Sequence, residues 1–251
     1  MADWPSMHFT RRRLLASTAA LVVGGLGSRA FARTYRGGAL PWEPVNTTPP
    51  TPVRPGPWLY FTADEAAAIE AIVDRLIPPD ESGPGGKAAG CALFIDRQLA
   101  GAYGDARMLY MRPPFANGTP SQGVQSPVVP KDRYRGSLAA LDAHCKASFA
   151  GKGFAALDAA QQDQVLTGLE TGDIKLEDGS GRAFFEAVLA NAMEGFFADP
   201  IYGGNRDMAG WKLVGFPGAR YDFRDHVAKH NQPYPLPPVS ILGRSDWSVP
   251  G

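Results

Sequence analysis

Apolar residues recur at helical spacing in five segments of this chain, and stretches rich in proline and glycine separate those segments. The first segment begins at Thr62, where Glu65 completes a capping box, and it ends before Pro78-Pro79. Proline is disfavoured inside a helix, so the proline-rich stretches are expected to end the helices and form loops. No strand pattern of comparable strength occurs. The sequence therefore predicts an all-α fold, an irregular helical bundle with long Gly/Pro-rich loops and extended N- and C-terminal arms.

The other four predicted helices differ in how apolar they are. Asp158 provides an N-cap for the fourth, and the fifth is apolar on more than one face, which suits the centre of a bundle. The segments are Lys87–Tyr103, Lys131–Ala150, one that opens at Leu157-Asp158, and Gly181–Ala198.

Proline and glycine also set the expected domain boundaries. The 29 glycines and 23 prolines are many for a compact helical domain, and they concentrate between and beyond the helices. A loop-like insertion occupies residues 104–130. We expect a leader at 1–32, an extended arm at 33–58, a helical domain at 59–221 and an extended tail at 222–251.

The first residues resemble a twin-arginine export signal. Arg11 and Arg12 precede an apolar run, Leu14–Leu26, and small residues follow at Ala30 and Ala32. A retained membrane anchor is the alternative, but the run is shorter than the ~20 residues that span a bilayer. We expect cleavage after Ala32 and a periplasmic protein that reaches the membrane only indirectly, through a complex.

Cys91 and Cys145 are the only cysteines. In an oxidising compartment such a pair most often forms one disulfide, and the export signal favours that pairing. The alternative is two separate buried thiols, because cysteine is among the most frequently buried residues.

Charge and motifs exclude several function classes. The formal net charge is zero and no basic stripe is interleaved with aromatics, so nucleic acid is not an expected partner. No dinucleotide fingerprint follows a strand, and no haem-attachment or P-loop motif occurs. We therefore expect no catalytic residue, cofactor or metal site in this chain.

A pair of histidines supports an alternative function. His226 and His230 would share one face of a helix, with Asp222 and Asp225 nearby, as a metal site requires. The motif lacks the glutamate that a metalloprotease places beside its first histidine. Polar residues at a surface or interface are the favoured interpretation. An independent periplasmic metal-binding protein or enzyme remains the alternative.

The segment Phe197 to Gly218 carries a resemblance. Its Tyr-Gly-Gly-Asn string at 202–205, Gly210-Trp211 and Gly215-Phe216-Pro217-Gly218 resemble the gluconate 2-dehydrogenase subunit 3 family, as do residues 61–65 and 90–98. The resemblance implies a non-catalytic small subunit of a periplasmic complex that oxidises a sugar, sugar acid or polyol. It implies a large FAD-containing partner of the glucose–methanol–choline type, stabilised and exported with this chain, and a multihaem cytochrome c with haem c.

The same segment has a physical interpretation at the level of residues. Glycine lets backbone approach another surface closely, and aromatic side chains are rigid interface anchors. A loop packed on its own bundle explains the pattern equally well. The candidate interface residues are Tyr202, Gly203, Gly204, Asn205, Trp211 and Pro217.

Overall fold

The computed structural model describes residues 52–116, 118–122, 126–176, 180–220 and 222–241. The expected export signal with Arg11 and Arg12, and all of the proline-rich arm before residue 52, lie outside these residues. Within the described ranges the chain forms six α-helices and no β-strand, which confirms the predicted all-α bundle. The helices are α1 Ala63–Leu76, α2 Cys91–Ala100, α3 Pro130–Ser148, α4 Ala159–Thr171, α5 Gly181–Phe197 and α6 Ala209–Val214.

Local sequence signals explain where the helices begin and end. Thr62 and Asp158 each form a complete capping box, at the starts of α1 and α4. The second helix is shorter than the predicted segment Lys87–Tyr103, because Gly90 and Gly101 occupy its two ends. Helix α6 was not predicted from the sequence. It is only six residues long, too short for a periodic pattern to stand out.

Helix α5 lies at the centre of the bundle and packs against all the other five helices. Its buried face presents Phe184, Phe185, Val188 and Phe196 to one continuous apolar core. Leu99, Leu141 and other fully buried side chains of α1 to α4 complete that core. The prediction that the fifth helix lies in the middle of the bundle is therefore confirmed.

A fully buried carboxylate attaches the segment before α1 to α2. Asp96 accepts backbone N–H bonds from Leu59, Tyr60 and Phe61 at 2.9–3.0 Å, and the adjacent Arg97 forms an ion pair with it. Buried charge is tolerated only where hydrogen bonds and a counter-ion replace water, and Asp96 has both.

The two cysteines do not form the expected disulfide. Cys91 at the start of α2 and Cys145 near the end of α3 are both free thiols, fully buried in the apolar core. Burial raises the pKa of Cys91 to about 12 and that of Cys145 to about 11. The disulfide prediction is corrected: here the thiols behave as small apolar side chains, and the core gains its contacts without a cross-link.

Among the described residues, no helix combines the length and apolar composition that crossing a membrane requires.

Candidate partner interface

Asn205 organises the glycine-aromatic segment, the name used here for residues 197–218. Its side chain is fully buried; Nδ2 donates to the carbonyl oxygen of Ala198, and Oδ1 accepts from the N–H of Gly210, both at 2.8 Å. One amide group thus joins the end of α5 to the start of α6 and satisfies two backbone groups that helix ends leave unpaired.

Two glycines let this segment lie directly on the last turn of α5. A Cβ atom on Gly204 would overlap the carbonyl oxygen of Gly195, and one on Gly210 would overlap that of Phe196. The indole Nε1 of Trp211 donates to the carbonyl oxygen of Phe197 at 2.7 Å. The glycines are required because backbone contacts backbone at this point.

The segment is also attached to the start of α2. The backbone N–H of Arg206 donates to the carbonyl oxygen of Ala89 at 2.9 Å, and its guanidinium donates to that of Ala88 at 3.2 Å. From the N-terminal side, the N–H of Val53 donates to the carbonyl oxygen of Ile201 at 2.8 Å. The segment therefore links three parts of the chain by hydrogen bonds: the end of α5, the residues before α2 and the segment before α1.

The tail returns to the same segment. Val239 is buried and pairs with the Pro217–Ala219 backbone, and its carbonyl oxygen accepts from the N–H of Ala219 at 2.7 Å. Asp199 accepts from the hydroxyl of Ser240 at 2.9 Å and from the N–H of Ile241 at 2.7 Å. The described part of the tail thus lies on its own domain.

These contacts revise the list of interface candidates. Gly204, Asn205 and Trp211 are buried within this chain, so their side chains are not available to a partner. Gly203 and Pro217 are partly covered, and Tyr202 keeps about half of its surface exposed. Most of the pattern serves internal packing, and Tyr202 is the candidate that the structure leaves at the surface.

Four apolar side chains of this segment remain exposed. Leu213 and Val214 at the end of α6, and Phe216 just after it, expose about half of their surface, as Tyr202 does. The ring of Phe216 packs edge-on against buried Trp211, with centroids 5.2 Å apart. We call Tyr202, Leu213, Val214 and Phe216 the apolar rim. Of these four, only Tyr202 was an interface candidate from the sequence; Leu213 and Val214 were missed because α6 was not predicted.

The histidine pair does not share a helical face. His226 ends a 3-10 turn, Arg224–His226, and its ring packs against Tyr234 at 4.7 Å, whereas His230 follows in a separate turn. Arg224 pairs with Asp222 and lowers the pKa of that carboxyl to about 2. Within the described ranges, no three His, Cys, Asp or Glu side chains gather as metal ligands.

A groove of about 360 Å³ lies between α1, α3 and the 3-10 turn Phe154–Ala156. Three carboxylates line it, Asp64, Glu65 and Asp142, and the last two are paired with Arg135 and Lys146. The lining contains no Ser, Cys, Tyr or His side chain, so chemistry there would rest on the carboxylates and Lys146 alone. The apolar rim is therefore the stronger candidate functional surface.

Comparison with known proteins agrees with the pattern of the glycine-aromatic segment. A family model described as gluconate 2-dehydrogenase subunit 3 matches residues 63–218, which is more than half of the chain and includes α1 to α6. In the same comparisons no curated protein and no solved structure matched. The chain belongs to the gluconate 2-dehydrogenase subunit 3 family.

Proposed function

We propose that this chain is the non-catalytic small subunit of a periplasmic, FAD-dependent dehydrogenase complex that oxidises a sugar, sugar acid or polyol. In this proposal it stabilises the large flavoprotein subunit and accompanies it through twin-arginine export. A multihaem cytochrome c passes the electrons onward. The substrate pocket and the flavin belong to the large subunit.

Family membership supports the coarser part of this assignment. As a subunit 3 protein, the chain is an accessory subunit of a dehydrogenase complex. The identity of the partner subunits is the part that we propose. It rests on the resemblance and on the surfaces that the described residues present.

The observation that carries the proposal is the apolar rim on the glycine-aromatic segment. Tyr202, Leu213, Val214 and Phe216 are exposed, yet they stand on a base that Asn205, Gly210 and Trp211 hold in place through hydrogen bonds of 2.7–2.8 Å. Aromatic side chains such as Tyr202 and Phe216 are enriched at protein–protein interfaces, and a rigid support favours binding. A flavoprotein that covers this rim would bury it and stabilise both subunits.

The buried thiols are compatible with the proposed export route. Twin-arginine transport moves proteins that have already folded, and the cytoplasm is a reducing compartment. Because Cys91 and Cys145 pack as free thiols, the core needs no oxidising compartment to form. A chain that depended on their disulfide would be poorly suited to folding before export.

Affinity purification of the tagged full chain from its native host tests the complex. We expect a flavin absorption spectrum and a large dehydrogenase in the purified material, with activity on a sugar, sugar acid or polyol and an artificial electron acceptor. A purification that yields this chain without any flavoprotein would contradict the proposal.

Replacing Arg11 and Arg12 by lysine tests the export role separately. We expect the large subunit to remain in the cytoplasm with this variant, because the signal of the small subunit serves both chains. The control is Arg54→Lys, which changes an exposed arginine outside the expected leader. If the double variant still delivers the large subunit to the periplasm, the shared-export role is wrong. That result would not contradict the proposal that the two chains form a complex.

A further inference from the structure

The insertion between α2 and α3 begins with a firmly packed base, residues 103–106. Gly104 N–H donates to the carbonyl oxygen of Gln98 at 3.1 Å, and the Gly104 carbonyl oxygen accepts from the N–H of Lys131 at 3.2 Å. Ala106 is buried, and the hydroxyl of Tyr103 donates to the Asn191 side chain of α5 at 3.3 Å. The base is thus joined to α2, α3 and α5.

The residues that follow this base, 107–112, form the insertion tip, and their apolar side chains face solvent. The exposed fractions are 87% for Met108, 60% for Leu109 and 82% for Tyr110, in three consecutive residues, and Met111 is partly exposed. Exposed apolar side chains are common singly, but a consecutive run on a supported loop marks a binding surface.

Cations outnumber carboxylates around the tip. From Ala106 to Lys131 the sequence contains Arg107, Arg112 and Lys131 and no aspartate or glutamate, although the whole chain has zero net charge. Asp105 pairs with Lys131 at 2.7 Å and Arg107 at 2.6 Å, and these two cations hold its pKa below the usual range. With Asp132 directly after Lys131, residues 105–132 hold three cations and two carboxylates, a net charge of +1, and Arg112 has neither carboxylate beside it in the sequence.

This combination matches an anionic lipid surface. Apolar side chains enter the acyl boundary while flanking arginines stay among the phosphate headgroups, and Tyr110 has the amphipathic ring that the interface favours. A fluid layer accepts neighbouring side chains that leave the loop in different directions. A groove on a partner protein would need a separate complementary pocket for each of these side chains.

We propose that the insertion tip, Met108 to Met111 flanked by Arg107 and Arg112, docks this protein directly onto an anionic membrane surface as a shallow peripheral contact. The sequence prediction was that the membrane is reached only through the complex, and this proposal adds a contact made by the chain itself. It does not depend on the flavoprotein partner, so it stands or falls separately from the proposed function.

An environment-sensitive NBD label at Leu109→Cys in the full chain tests the proposal. The native thiols are buried, so the label goes to the new cysteine. Vesicles of 3:1 phosphatidylcholine and phosphatidylglycerol should shift the NBD emission to shorter wavelength and increase its intensity. The matched control is the label at Val227→Cys, another exposed apolar residue, in the tail; its emission should not change. Because the label reports locally, binding through residues 1–32 does not confuse the result.

Two further variants of the labelled protein separate the apolar and the ionic contributions to vesicle binding. Met108→Ser with Tyr110→Ser should weaken vesicle binding about tenfold or more, since each exposed apolar group would otherwise leave water. Arg112→Ser should weaken vesicle binding about fivefold.

The proposal is overturned if the label at 109 keeps its aqueous spectrum while the chain sediments with vesicles, or if the label responds equally to purely zwitterionic vesicles. It is also overturned if the label responds only to the purified dehydrogenase, which would make the tip a protein interface.

Discussion

At the scale of single residues, Asp96 shows how one side chain determines the course of a long segment. Three consecutive backbone N–H groups, of Leu59, Tyr60 and Phe61, converge on its carboxylate, so the chain enters α1 from a defined direction. Nothing in the sequence around α2 marks this role, because an aspartate within a helix is usually solvent-exposed.

Replacing Asp96 by alanine should lower the free energy of unfolding by about 3 kcal/mol, because three backbone donors and Arg97 lose a buried anion. Urea unfolding followed by circular dichroism measures the change. The matched control is Asp163→Ala, which removes the half-exposed partner of Arg75 and should cost far less, because exposed ion pairs add little to stability. Equal losses in the two variants would show that Asp96 is no more than a surface ion-pair partner.

The two buried thiols lead to a prediction about alkaline pH. Their pKa values rise from 9.0 to about 12 at Cys91 and about 11 at Cys145 on folding. The unfolded chain therefore ionises first. Their contribution to stability is complete below pH 9 and is lost as pH rises toward 11–12, by about 1.4 kcal/mol per pH unit for each thiol.

Denaturant unfolding between pH 8 and pH 10.5 checks this, with the Cys91→Ala, Cys145→Ala double variant for comparison. The wild type should lose stability with pH more steeply than the variant. The slopes are compared rather than the absolute values, because removing the thiols also changes core packing. Identical slopes, or rapid labelling of the native protein by a thiol reagent, would contradict burial of the cysteines.

At the scale of elements, the glycine-aromatic segment connects α5 and α6 to the start of α2 and to the tail. Its glycines permit close backbone contact, and its asparagine and tryptophan supply the hydrogen bonds that this contact needs. The pattern that identified the family is thus mainly a packing pattern, and the exposed apolar rim depends on it for its position.

Gly204→Ala should therefore destabilise the protein by about 3 kcal/mol, because its Cβ would overlap the carbonyl oxygen of Gly195 and force the segment off α5. Gly83→Ala is the matched control: a Cβ there meets nothing within 4 Å, and stability should change by less than about 0.5 kcal/mol. Thermal unfolding of the two variants gives the comparison. A Gly204→Ala protein as stable as wild type would show that the contact relaxes freely.

At the scale of the whole molecule, the exposed apolar residues on α6 face outward from a well-packed bundle. Leu213→Ser with Val214→Ser should weaken association with the large subunit at least about tenfold while leaving the thermal stability of the isolated chain unchanged. Co-purification yield and titration of the separated subunits measure the two quantities. Leu59→Ser, at another exposed apolar position, is the control and should bind normally. Unchanged binding by the α6 variant would remove the apolar rim from the interface.

The helical class and the positions of α1 to α5 follow from the sequence, because capping residues, prolines and apolar spacing act within a few residues of one another. The capping boxes at Thr62 and Asp158 are local in this sense, and both are present in the structure. The family could be named for the same reason, since its glycine and aromatic positions lie within one short segment.

What only the tertiary structure decided involves residues far apart in the chain. Whether Asn205 and Trp211 face a partner or the core depends on α5, and whether Cys91 bonds to Cys145 depends on how α2 and α3 pack. The same holds for Asp96, whose donors lie 35 to 37 residues earlier. Local patterns determine which segments become helices, because the free energies of capping and of helix formation depend on residues close together in the sequence. The placement of a side chain depends on contacts that exist only once the helices have packed.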